Sequence, residues 1–242
     1  MVSPHRGPTA RPPTVSPSKL RALRRRLEAW GSRSLRSFTW RDTNDPYRVL
    51  VAELLLQRTR AEHVPPVYDR LLTAAPSLAR LSRLPTKRLE AILRPLGLRK
   101  RVPLIRSAAR TLVRQFGGTV PADVQSLRSL PGLGRYGANA VLSLAFDQPV
   151  PMVDGGVARV LRRVFSLAPA KRPTTDELAW SLAQQIVSRG DARNLNLALI
   201  DLSTSTCRTV PRCGVCPLVD ICDWGRDESL HVQSSRTPVA IR

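Results

Sequence analysis

The sequence predicts an all-α protein. Apolar residues recur at helical spacing in one segment after another, helix-starting residues stand ahead of those segments, and no stretch reads convincingly as a strand. No internal repeat is present.

In chain order, residues 1–17 are rich in Pro, Ser, Thr and Arg and read as a disordered basic tail. A first helix follows over 18–30. Asp45 and Pro46 supply a cap and a first-turn proline for a helix over 46–58. That helix is apolar almost all round, which predicts burial, and its exceptions Glu53 and Gln57 share one face. Helices over 66–74, 77–83, 86–95 and 99–115 come next, and Gly117 and Gly118 break the pattern. Helices over 123–129 and 135–147 flank a short glycine turn. Over 155–166, Val157, Val160, Leu161, Val164 and Phe165 form one apolar stripe, with Arg159, Arg162 and Arg163 off it. Thr174 and Glu177 have the spacing of a capping box for a helix reaching 189. A helix over 193–204 leads into four cysteines, and residues 224–242 read as a second disordered tail.

The 242 residues can bury a sizeable core, with 42% hydrophobic. Lys plus Arg number 39 against 18 Asp plus Glu, a net charge of +21. Such a surplus points to a polyanionic partner. Nearly all of it is Arg, which an arginine-rich proteome would also produce. No apolar run reaches the ~18 residues of a membrane helix, and the start of the chain does not resemble a secretory signal. The cysteines crowd into one short stretch, unlike a disulfide scaffold, so a reducing, cytoplasmic setting and a metal or cluster site are expected.

Three constellations carry chemistry. Leu130-Pro131-Gly132-Leu133-Gly134 lies between two helices, and its glycines permit positive φ and close backbone approach. Such a turn can aim amides, at the start of the helix opened by Arg135, toward a phosphate oxygen. Read plainly, it is a helix–helix turn. Cys207, Cys213, Cys216 and Cys222 are spaced C-x5-C-x2-C-x5-C. Four thiolates can hold a [4Fe–4S] cluster. Zinc and disulfides are the alternatives, although zinc ribbons usually show two close pairs and only Cys213 and Cys216 are close here. Arg208 and Arg212 in that loop are candidates for phosphate contact. Asp154 precedes Gly155-Gly156 and the striped helix. It reads as an N-cap, and equally as a carboxylate that the helix dipole keeps ionised for stabilising positive charge or activating water. Glu53, on its apolar helix, either meets a ligand or water, or pairs with an Arg. Tyr136, at the start of the helix after the turn, either packs or lines a pocket.

The glycine hairpin, Asp154 and the four cysteines, in that order, resemble the endonuclease III and adenine-glycosylase superfamily. The resemblance runs over 40–222 and includes Trp40-Arg41, Asp45-Pro46-Tyr47 and the stretch from Glu53 to Thr59. Gly134-Arg135-Tyr136, Met152-Val153-Asp154 and the stretch from Asn196 to Asp201 look closest to its mismatch-specific thymine/uracil glycosylases. Where bifunctional members carry Lys, this chain has Tyr136, so no amine is available there for a Schiff base. The resemblance implies a monofunctional DNA glycosylase of the helix-hairpin-helix type, acting as a monomer on double-stranded DNA with a mismatched or damaged base, in the nucleoid. It implies a two-lobed fold, with 42–148 as a helical lobe and 18–41 plus 149–223 as a [4Fe–4S] cluster lobe. Asp154, Tyr136 and Glu53 become catalytic candidates. Leu130, Gly132, Leu133, Gly134 and Arg135 become DNA-binding candidates, and Gln57 and Leu98 candidates for filling the gap left by an extruded nucleotide. The first cysteine gap is one residue shorter than the family's usual six. An adenine glycosylase, and a cluster-bearing DNA-binding protein without catalysis, are the rival readings.

Overall fold

A computed structural model describes residues 15–227 apart from 169, 171, 173 and 174. Twelve α-helices and several short 3-10 turns occur among the described residues, with no strand.

The helix α1 (Pro17–Ser34) starts on a first-turn proline and buries Leu20, Leu23, Leu27 and Gly31 at helical spacing. It runs four residues past the expected end. In α2 (Pro46–Leu56), the Asp45 carboxylate accepts from the Arg48 amide at 3.0 Å, and Val49 to Leu55 are all buried. Next come α3 (Pro65–Ala74), α4 (Leu78–Arg83, capped by Ser77) and α5 (Thr86–Leu93). The stretch expected as one helix over 99–115 splits into a 3-10 turn, Arg99–Arg101, and α6 (Val102–Gln115), with Pro103 in the first turn. α7 (Val124–Ser129) and α8 (Arg135–Ala145) flank the hairpin. α9 (Gly155–Val164), α10 (Glu177–Val187), α11 (Ala192–Ser205) and the short α12 (Asp223–Arg226) complete the chain.

Two details of the sequence reading change. Thr174 lies outside the described residues, and α10 is capped by Asp176, which accepts from the Ala179 amide. The tail expected from 224 is contradicted at its start, where α12 is helical and Trp224 packs on the apolar interior; residues 1–14 and 228–242, where the rest of both expected tails falls, lie outside the described residues.

The apolar side chains gather into two cores. One is built from α2 to α8, with Trp40, Met152 and Leu197. The other joins α1 to α9, α10 and α11, with Leu218 and Cys222. The N-terminal helix therefore packs beside the C-terminal ones, and α1 meets α11 closely enough that a Cβ on Gly31 would strike Asn194. Each fully buried leucine contributes roughly 1.5–3 kcal/mol, so both cores are substantial. Arg193 of α11 crosses between them, donating to the carbonyls of Leu144, Arg41 and Thr43.

Candidate active site

A cleft of about 650 Å³ opens between the two cores. Glu53, Gln57 and Arg58 line it from the end of α2, Tyr136 from the start of α8, Asp154 from the head of α9, and Ile200 and Thr204 from α11.

Asp154 sits where an extended segment turns into α9. Its Oδ1 accepts the Val157 amide at 2.7 Å, so the capping role is real. The carboxylate remains half-buried and open to the cleft. Its position is set from both sides. Asn139 of α8 donates to the Pro151 carbonyl at 2.8 Å. Asn196 of α11, fully buried, accepts the Met152 amide at 2.9 Å and donates to the Val150 carbonyl and Ser143 hydroxyl. Behind the carboxylate, Gly156 admits α11: a Cβ there would lie 2.5 Å from Ser203 Oγ and 3.2 Å from Asp154 Oδ1.

Glu53 is buried, and burial pushes its carboxyl up to about 8, with the Arg41 charge pulling weakly the other way. At neutral pH it is a neutral acid that can donate a hydrogen bond. Burial, and then the Glu53 and Asp154 carboxylates, hold the Tyr136 phenol well above its ordinary value, so it too stays a donor. Two protonated donors and the Asp154 side chain thus converge on one cleft.

Beside them, Asp201 receives both terminal nitrogens of Arg41, at 2.7 and 2.9 Å, and the amide and Nε of Arg36, each at 2.8 Å. Burial acts to raise the Asp201 carboxyl, but these hydrogen bonds and charges hold it below the usual range. Arg36 also reaches Glu62 at 2.9 Å. Sequence reasoning did not assign this network, nor Asn139, because the pairing partners lie far apart in the chain.

The hairpin departs from expectation in instructive ways. Gly132 has φ +83, a left-handed backbone that favours glycine, but Gly134 is extended (φ −85, ψ −176), so only Gly132 needs its conformational freedom. A Cβ on Gly134 would meet nothing within 4 Å, so the start of α8 is open to approach. No side chain caps α8, so its first amides take no bond from a capping side chain. Leu130 and Leu133 are buried anchors, so the backbone is what this turn can offer a ligand. Arg135 is taken up by Glu177 at 2.5 Å and by the Trp180 ring at 4.0 Å, bridging α8 to α10.

Gln57 is not a free side chain. Its Nε2 donates to the Gly132 carbonyl at 2.8 Å and its Oε1 accepts from Arg101, which draws it out of α2 and ends the helix at Leu56. The next residue, Arg58, is exposed at the cleft with φ +57. Leu98 is 7% exposed and packed in the first core, so it does not project as a wedge.

The four cysteines line one hollow below α9, together with Trp224 and Arg163. None forms a disulfide. Among the described residues, no three His, Cys, Asp or Glu side chains converge as they would on a single metal ion. Arg159 and Arg163 do not point to solvent. Arg159 donates to the carbonyls of Cys207 and Ser203, and Arg163 to those of Arg208 and Thr209. Arg162 pairs with Asp176.

A hairpin beside a cleft that gathers a carboxylate, a phenol and a buried acid has the make-up of an enzyme site. Residues 51–185 match the family described as HhH-GPD superfamily base excision DNA repair protein. The chain belongs to that family and is a DNA N-glycosylase. It is 38% identical to a thymine/uracil-DNA glycosylase of Pyrobaculum aerophilum over 75% of this chain and 81% of that one. It is 34% identical to an adenine DNA glycosylase of Rattus norvegicus over 83% of this chain but 41% of that one. A solved thermostable thymine-DNA glycosylase superimposes with a TM-score of 0.81 at 30% identity, covering 86% of this chain and 97% of that one. No helix among the described residues is long and apolar enough to cross a membrane.

Proposed function

We propose that this chain removes thymine or uracil mispaired with guanine in double-stranded DNA, by hydrolysis and without cutting the strand. The observation that carries the reading is Tyr136, a phenol at the head of α8 in the electrostatic reach of Asp154 and Glu53. A lyase needs an amine to capture the opened sugar, and this position supplies a neutral donor. The similarity to the Pyrobaculum enzyme supports the same base preference.

In this mechanism the Gly132 turn and the open start of α8 hold a phosphate beside the lesion. The extruded nucleotide enters the cleft, at a lower cost when mispairing has already weakened its stack. Asp154 stabilises the positive charge that builds on the sugar as the glycosidic bond breaks, and receives the proton of the attacking water. Tyr136 and the protonated Glu53 donate to the departing base, whose carbonyl oxygens gain negative charge.

Cys207, Cys213, Cys216 and Cys222 would hold a [4Fe–4S] cluster. What supports the reading is that the four thiols line one hollow, with only Cys213 and Cys216 close in sequence where zinc ribbons usually show two close pairs. Held there, a cluster would tie down the loop bearing Arg208 and Arg212. We assign residues 42–148 to a helical lobe and residues 18–41 plus 149–223 to the cluster lobe, with Trp40, Met152 and Leu197 of the latter packing into the first core.

The test is a panel of duplexes bearing T·G, U·G, A·G and A opposite 8-oxoguanine, each treated with and without alkali after incubation. Strand breaks at T·G and U·G that require alkali are expected. Adenine release in their place would assign the chain to the adenine-specific branch, which the buried Glu53 and the rat relative would then explain. Breaks without alkali would show lyase activity. Iron analysis should give about four irons per chain.

A further inference from the structure

Helix α6 carries a charged face built from arginine alone. Arg106, Arg110 and Arg114 recur every four residues along an open groove of about 340 Å³ that reaches Thr86 at the start of α5. No Asp or Glu occurs in α6, and no ion pair among the described residues involves these three arginines. Like charges four apart on a helix repel each other, and an external anion would relieve that repulsion. Arg106 donates to the Thr86 hydroxyl, yet its Nε is buried without a hydrogen-bond partner.

The first turn of α6 abuts the hairpin. A Cβ on Gly132 would lie 3.2 Å from the Cβ of Leu104, which is itself exposed. At about 100° per residue, Arg106 stands roughly 160° and Arg110 roughly 120° around α6 from Leu104, so the row lies on a different face from the one that meets the hairpin, along a helix roughly 20 Å long with successive Cβ atoms about 5–6 Å apart. Evenly spaced guanidinium groups in a straight row match the evenly spaced phosphates of a nucleic-acid strand, and arginine's fork fits each phosphate with two hydrogen bonds.

We propose that this face of α6 is a second DNA-backbone site, separate from the hairpin, that holds the arm of the duplex beyond the nucleotide in the cleft. The proposal rests on the reading of this chain as a duplex-DNA enzyme, and the contact carries no sequence information.

The test compares the full chain with the triple variant Arg106→Gln/Arg110→Gln/Arg114→Gln and with the corresponding triple Lys variant. Each is titrated with undamaged duplexes of about 12 and about 40 base pairs over a range of salt. On the long duplex the glutamine variant should bind at least tenfold more weakly at low salt. Its slope of log affinity against log salt should fall by about 2.7, from about 0.9 for each lost phosphate contact. The short duplex should lose less than twofold, and the lysine variant should recover the slope, since a point charge suffices for counterion release. An unchanged slope on the long duplex would overturn the proposal and leave the row as a solvated face or an acidic-protein surface. An equal loss on both lengths would also overturn it. Failure of the unaltered chain to bind any duplex would instead defeat the reading on which the proposal rests.

Discussion

Arg41 donates both terminal nitrogens to Asp201, joining the turn ahead of α2 to α11 at the margin of the cleft that Arg41 lines. The carboxylate is 1% exposed and carries two further bonds from Arg36. Removing one partner of a buried ion pair strands the other charge, at a cost of about 3–5 kcal/mol. Asp201→Asn should therefore melt about 6–20 °C below the unaltered protein at neutral pH. The sign with pH follows from the depressed carboxyl. Its contribution is present above the ordinary Asp value of 3.8 and is lost as pH falls through the lower folded value. The gap between the two melting curves should close in acid below about pH 4, and a gap that persisted there would contradict the pairing.

Glu53 titrates in the opposite sense. Its folded value of about 8 lies above its ordinary 4.5, so its protonated form favours the fold at low pH and that benefit disappears as pH rises through 8. Glu53→Gln should abolish this part of the pH dependence, leaving a flatter melting profile between pH 5 and pH 9. Single-turnover base release by Glu53→Gln should fall by roughly 10²–10⁴-fold if proton donation matters, whereas a purely structural acid would leave the rate near that of the unaltered enzyme.

Arg58 holds a left-handed backbone without being glycine. Such a residue stores about 1 kcal/mol or more of strain. Arg58→Gly should raise the melting temperature by about 2–4 °C while weakening the complex with DNA containing an abasic analogue. Arg58→Ala should weaken binding similarly without the gain in stability. Equal melting temperatures for the Gly and Ala variants would show that the backbone conformation is not strained.

Gly156→Ala probes how tightly the carboxylate is set. The added methyl would have to displace Ser203 of α11 or the carboxylate of Asp154. Overpacking costs about 1–3 kcal/mol, and a misplacement of about 1 Å can cost 10²-fold in rate. Combining it with Ser203→Gly should restore both. Recovery of stability without recovery of rate would locate the damage in Asp154 itself.

The helical class was legible because periodicity and caps are local signals. Asp45, Pro46 and Gly132 announce their geometry in a few neighbouring letters. The ends of helices were less legible where tertiary bonds decide them. Gln57 leaves α2 where its Nε2 donates to the Gly132 carbonyl and its Oε1 accepts from Arg101, both far along the chain. Asp154 could be read from its place ahead of two glycines, but the asparagines that hold its approach could not, since Asn139 and Asn196 bond to carbonyls and an amide that no side-chain pattern marks. The packing of Leu98 in the first core and the pairing of Arg135 with Glu177 were not legible either, since both depend on residues distant in the chain.

Arg193 has a mechanical consequence. Through the carbonyls of Leu144, Arg41 and Thr43 it ties α11 to the end of α8 and to the turn ahead of α2, so widening the cleft between these elements would first have to break those bonds.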